Sequence, residues 1–179
     1  EVAKKCLEEI SQGRSPAALA WNEEQLKIFR SFNLLSAKPV LLVLNVDEAQ
    51  LKTDDDHLRA IQALGKSKGY ESVKICGQIE SEIAQLEGED RATFLKELEL
   101  EESGLVRLVH HGYNLLGLIS YFTAGPKETR SWTIPKGAKA PQAAGKIHTD
   151  FEKGFIRAEV IAYDDYIACG GEGGAKAKG

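Results

Sequence analysis

Pro39-Val40-Leu41-Leu42-Val43-Leu44-Asn45-Val46-Asp47-Glu48 is the stretch that decides the fold. Val40 to Leu44 is an unbroken apolar run of strand length, and such a run reads as a strand buried on both faces, the kind found in parallel sheets under helices. After a loop, Thr53-Asp54-Asp55-Asp56 leads into a helix through about Ser67. Thr53 is a natural N-cap there, and the acids complement the helix dipole. Gly69 stops that helix. Ser72-Val73-Lys74-Ile75 then reads as a second strand, ending at Cys76-Gly77 and turning into a helix from Ile79 to Leu86. Strand, helix and strand within about 35 residues make a βαβ unit.

Upstream, Val2, Cys6 and Ile10, with Leu7 beside them, share one face of a helix that Gly13 and Pro16 end. Asn22 with Gln25 has the form of a capping box, so a second helix is expected from Asn22 to Asn33, with Leu26, Phe29 and Phe32 on its apolar face. Downstream come a charged helix from Glu89 to Leu100 and another from Ser103, whose stripe Leu105, Leu108, Val109, Gly112, Leu115 and Leu116 reads as core. Beyond Gly117 the pattern changes to short strands and turns: LISYFTAG, TRSWTI, a small-residue helix near Ala140 to Ala144, then GFIRAEVIAY. A second, β-rich module therefore begins near Leu118.

With 179 residues, 42% hydrophobic and 28% charged, the chain has enough apolar material for one ordinary domain or two small ones, which excludes a disordered tail. No apolar run approaches the roughly 18 residues of a spanning helix, and EVAKKCLEEI carries charge where a signal peptide is apolar; a cytoplasmic protein with no membrane partner is expected. A net charge of −4 argues against bulk attraction to nucleic acid. Cys6, Cys76 and Cys169 are odd in number and form no Cys-x-x-Cys pair, as in a reducing compartment. The chain has no methionine, opens in helical pattern and closes in GGEGGAKAKG, so it reads as a piece of a longer protein.

Ligands of open parallel sheets bind outside the carboxyl ends of the strands, which points to Asn45–Glu48 and Cys76–Glu80. A carboxamide can hydrogen-bond a purine edge in both directions, and a carboxylate three residues on can accept from an exocyclic amine or hold the loop. An Asx turn at Asn45 and a solvated acid at Glu48 fit the spacing too. Asp54, Asp55 and Asp56 diverge around a helical turn and are expected to serve the dipole rather than a metal. His110-His111 diverge by about 100° on a helix, one packed and one exposed. His148-Thr149-Asp150 is expected to form a turn network, since no nucleophile has supporting context. In the second module Lys127, Arg130, Lys136, Lys139, Lys146, Lys153 and Arg157 accompany Trp132, Phe151 and Phe155. They make either a local nucleic-acid face or a solvated rim around core aromatics.

Residues 121–166, YFTAGPKETRSWTIPKGAKAPQAAGKIHTDFEKGFIRAEVIAYDDY, closely resemble the C-terminal TGS module of the YchF group of Obg-like ATPases. KPVLLVLNVDE and ICGQIESEIAQLE resemble the end of the same group's nucleotide-binding domain. The resemblance covers nearly the whole chain, and it implies an α/β plus α+β protein: residues 1–20 from the end of a helical insert, 21–117 from the C-terminal part of a P-loop NTPase sheet, and 118–179 from a β-grasp TGS domain short of its last strands. It places Asn45-Val46-Asp47-Glu48 where related GTPases carry Asn-Lys-x-Asp. An aspartate in the last position matches the N1 and N2 donors of guanine; Glu48 does not present its carboxylate equivalently. The resemblance accordingly implies ATP in preference to GTP, with Asn45 and Val46 at the adenine.

Cys76-Gly77-Gln78-Ile79-Glu80 stands where the group has Ser-Gly-Ala-Leu-Glu, a second base-flanking loop to which Cys76 and Gly77 contribute backbone. No G-x-x-x-x-G-K-[ST] occurs, so the phosphate cradle and the ligands of Mg2+ are expected upstream of Glu1, and this piece alone is expected to be inactive. No catalytic or metal-binding residue is assigned within it. The implied partner beside ATP is the ribosome, as large subunit or 70S, with RNA contact through Lys136, Lys139, Lys146 and Arg157. A nucleotide-independent RNA- or protein-binding module is the alternative.

Overall fold

The computed structural model describes residues 1–125 and 127–179; Pro126, inside the stretch that carries the resemblance, lies outside the described residues. The chain divides into two compact units, Glu1–Gly117 and Leu118–Gly179.

In the first unit, β1 (Leu41–Asn45) pairs in parallel with β2 (Glu71–Ile75), in register from Leu41 opposite Glu71 to Asn45 opposite Ile75. Parallel neighbours need a crossover, and it is made by α3 (Glu48–Lys52) and α4 (Asp56–Ser67). Leu44, Val46 and Leu58 are buried together, with Leu42, Leu51 and Ile61 against them. Gly65 lets α4 approach the sheet, since a Cβ there would come within 2.6 Å of Leu42 Cδ1. The expectation of burial on both faces is corrected: Val43 alternates onto the other face and is 49% exposed. A continuous apolar run gives both faces the same chemistry, but which face is covered depends on the helices that reach it.

Two further corrections concern the crossover. Asp55, not Thr53, is the N-cap of α4, its carboxylate accepting from the Leu58 N–H at 2.7 Å. Thr53 instead follows α3, a helix where the sequence reads as loop. A carboxylate serves the first turn better than a hydroxyl because it also answers the helix dipole.

After β2 come α5 (Gly77–Ile83), α6 (Gly88–Glu97) and α7 (Gly104–Leu115). The expected core stripe of α7 is rotated: Leu105, Val109 and Leu116 are exposed. The helix meets β2 through the neighbouring face, with Gly104 beside Ile75, Arg107 donating to the Lys74 carbonyl at 3.3 Å, and His111 Nδ1 3.1 Å from the Glu71 carboxylate. His110 is the more exposed of the two and lies 3.5 Å from Glu102. At the other end of the unit, α1 (Val2–Ser11) and α2 (Glu23–Ser31) bury Val2, Cys6 and Phe29 around Trp21. Asn22 and Gln25 form the expected reciprocal cap at 2.9 and 3.3 Å, whereas Leu7 and Ile10 are exposed.

The second unit carries the antiparallel hairpin β3 (Leu118–Ala124) and β4 (Thr129–Pro135), then α8 (Ala140–Ile147), α9 (Thr149–Lys153), α10 (Tyr163–Ala168) and α11 (Glu172–Lys178). Tyr121, opposite Trp132, donates from its hydroxyl to the Ala143 carbonyl at 2.7 Å and so seats α8 against the hairpin; burial raises its pKa. His148 Nδ1 accepts from the Asp150 N–H at 3.2 Å, the expected turn network. Among the described residues of this unit, strand structure is confined to the hairpin. GFIRAEVIAY is therefore corrected: residues 155–162 hold no regular structure, with Ile156 91% and Val160 85% exposed. Alternation specifies two faces of a strand but supplies no partner for its backbone ladder. Among the described residues, no helix is long and apolar enough to cross a membrane.

Candidate functional site

The carboxyl ends of β1 and β2 lie side by side because the strands are parallel and in register, so the two loops singled out from the sequence meet. Val46 continues the ladder, donating its N–H to the Ile75 carbonyl at 2.9 Å. Two residues beyond Ile75, the Gly77 N–H donates to Asn45 Oδ1 at 3.3 Å. A backbone N–H can only donate, so this contact fixes which end of the carboxamide faces Gly77 and turns the NH2 away from it.

The remaining candidates divide by burial. Val46 is buried with Leu44 and Leu58, so its side chain serves the core. Cys76 is buried with Ile79 and Ile83, packed by Leu51, Phe94, Leu95 and Leu98, and its thiol does not cap α5. A thiol behaves here as a small apolar side chain, which suits cysteine better than serine. Glu48 is exposed on the first turn of α3.

Asp47 and Gln50 brace the turn after Asn45 through a cap that the sequence reading missed. Asp47 Oδ1 accepts from the Gln50 N–H at 2.8 Å, and Gln50 Oε1 accepts from the Asp47 N–H at 3.1 Å, a reciprocal cap that stiffens the turn after Asn45. The signal was present in the sequence as Asp47-x-x-Gln50. Lys74 donates to the Gln50 carbonyl at 2.7 Å and to the Asp54 carboxylate at 2.8 Å, and that hydrogen bond holds the Asp54 carboxyl below its ordinary pKa. Asp55 is lowered too, by the Leu58 N–H and then by Gln50.

Glu80 anchors the far side of the second loop. Its buried carboxylate accepts from the N–H groups of Gly104 at 2.6 Å and Leu105 at 3.2 Å, while Ser103 Oγ accepts from Val106 at 3.3 Å. The first three donors of α7 are thereby satisfied, and α5 is held to that helix. Among the described residues no group of three or more His, Cys, Asp or Glu is placed to hold a metal. In the second unit, Lys136 follows β4, Lys139 precedes α8, Lys146 lies in its last turn and Arg157 follows α9; all four are exposed.

A family model, YchF-GTPase_C, described as a protein of unknown function (DUF933), matches residues 118–179. The Ribosome-binding ATPase YchF of Bacillus subtilis is 44% identical over 181 residues, taking in 100% of this chain and 50% of that relative. The chain belongs to the YchF family. The Ribosome-binding ATPase YchF of Escherichia coli O157:H7 is 45% identical over 99% of this YchF-family chain and 49% of its own length. The solved structure of the Schizosaccharomyces pombe YchF GTPase superposes with a TM-score of 0.83 at 34% identity, covering 99% of this chain and 48% of that one. This YchF-family chain thus spans about half the length of the curated relatives it matches.

Proposed function

We propose that this chain supplies the base-reading side of a ribosome-associated P-loop ATPase, with Asn45, Val46, Glu48, Cys76 and Gly77 around the base. The observation that carries the proposal is the Gly77 N–H to Asn45 Oδ1 hydrogen bond, which joins the two loops at the carboxyl ends of adjacent parallel strands. The names of the relatives support the ribosome and the ATPase activity, and a cytoplasmic location follows from that partner.

With its oxygen engaged, Asn45 offers its NH2 to an acceptor on a purine edge. Val46 holds the strand end in place from the core, and Cys76 and Gly77 shape the opposite wall with backbone. Glu48 carries one methylene more than the aspartate that pairs with guanine N1 and N2, and this displaced carboxylate is the basis of the preference for ATP. Phosphate binding and the ligands of Mg2+ are assigned to sequence outside this chain, which holds no G-x-x-x-x-G-K-[ST]. Mg2+ supplies charge neutralisation on the phosphates when bound. The chain alone is accordingly expected not to hydrolyse nucleotide.

Residues 118–179 are proposed to be a TGS domain of β-grasp type, a reading supported by the family match there and by the β3–β4 hairpin with α8 upon it. The exposure of Lys136, Lys139, Lys146 and Arg157 favours RNA contact through this module. A phosphate-contacting face would lose affinity steeply with salt, whereas nucleotide-gated docking would respond to ATP against ADP.

The test is equilibrium titration of labelled ATP and GTP into the full-length protein and its Glu48→Asp variant. Tighter ATP binding by the wild type, relaxed toward GTP in the variant, is expected. Equal or tighter GTP binding by the wild type would reduce Asn45–Glu48 to a loop and leave an ordinary GTPase.

A further inference from the structure

The turn that carries Glu48 opens a helix of five residues, too short to be stable on its own, so its position has to be imposed from outside. Three contacts do so. Leu51 packs against both apolar clusters on either side of it. Lys52 pairs with Glu99 at 2.6 Å, an exposed ion pair of the kind that contributes little. Lys74 reaches across from β2 to the Gln50 carbonyl and the Asp54 carboxylate, with its side chain only 19% exposed.

The Lys74 contact differs in kind from the other two. The Gln50 carbonyl lies in the last turn of α3, where carbonyls have no partner within the helix, so the ammonium satisfies a group that would otherwise lose its bond. Gln50 is also the residue whose amide and side chain brace Asp47, and whose Nε2 donates to Asp55 Oδ2 at 2.8 Å. Lys74 itself lies two residues before Cys76, on the strand that delivers the second loop. A single ammonium therefore ties the backbone behind one loop to the strand behind the other.

We propose that Lys74 is a positioning residue for nucleotide-base recognition: it does not touch the base but sets the distance and angle between the Asn45–Glu48 turn and the Cys76–Gly77 turn. The inference rests on the base-reading function proposed above. Loss of the tie lets α3 shift against β2, which misplaces Glu48 relative to the purine while Asn45, held in the β1–β2 ladder, and the phosphate end of the ligand stay in place.

The experiment compares wild type, Lys74→Met, Lys74→Arg and Asn45→Ala in the full-length protein, titrating labelled ATP, labelled GTP and inorganic tripolyphosphate. Lys74→Met keeps the apolar stem and removes the donors. Its ATP affinity is expected to fall about tenfold, with the ATP to GTP ratio moving toward one and tripolyphosphate affinity unchanged. Lys74→Arg, which keeps donors, is expected to recover most of the ratio. Should Lys74→Met not fold, Asp54→Ala removes one arm of the tie and is expected to shift the ratio in the same direction by less. A wild-type ratio in Lys74→Met, or in Asp54→Ala where that variant replaces it, beside weakened ATP binding in Asn45→Ala overturns the positioning role alone. An equal loss of ATP and tripolyphosphate overturns it as well, because that is a general loss of structure. Unchanged ATP binding in Asn45→Ala overturns the base-reading function and this inference with it.

Discussion

Asp54 is legible at the level of a single side chain, because its carboxyl answers directly to one neighbour. The Lys74 ammonium at 2.8 Å lowers its pKa from the ordinary value of 3.8, so the pair contributes stability above the unfolded-state pKa and loses it as pH falls through the lower, folded-state value. A carboxyl-resolved NMR titration should place the Asp54 midpoint below 3.8 in the wild type and return it toward that value in Lys74→Met; a midpoint indifferent to the substitution would mean the contact does not persist in solution. The meeting of Asn45 with Gly77 was readable in the sequence because both lie at the carboxyl ends of the two strands. Lys74 was not, since a contact to a carbonyl twenty-four residues away leaves no local pattern. The burial of Val46 and Cys76 was equally hidden, because the next residues of a strand end can face either core or ligand.

Among the elements, α7 depends most on a group outside itself. Glu80 supplies the acceptor for two of its leading N–H groups, and replacing it with alanine would leave the buried Gly104 N–H without a partner. Glu80→Ala is expected to cost about 2–3 kcal/mol, read as a lower urea midpoint at unchanged slope. Gly104→Ala tests the same joint from the other side: a Cβ would come 2.8 Å from Glu80 Oε1 and 3.3 Å from Ile75 Cγ1, so a loss of about 1–3 kcal/mol is expected. A neutral result for both would mean that α5 and α7 are joined by apolar packing alone. The rotation of the α7 stripe has the same origin. Apolar periodicity marked Leu105 and Val109 for the core, yet the face that meets β2 is chosen by Gly104, Arg107 and His111, which close approach and hydrogen bonds select. Short elements were the least readable. α3 is too brief for periodicity, and 155–162 has strand alternation without strand pairing.

At the scale of the whole chain, both units contribute to the likeness with YchF proteins, and the chain corresponds to about half the length of its relatives. The parallel pair with its crossover was legible because βαβ grammar is coarse and repeats at the right spacing. Everything proposed about activity turns on one place in the first unit, where Asn45 meets Gly77. The most direct measurement is photolabelling of the full-length protein with 8-azido-ATP, followed by mass spectrometry of the labelled peptides. Label is expected on peptides containing Asn45–Glu48 or Cys76–Gly77, suppressed by excess ATP and weakened in Asn45→Ala. Label confined to peptides elsewhere, with these two loops unmodified, would contradict it.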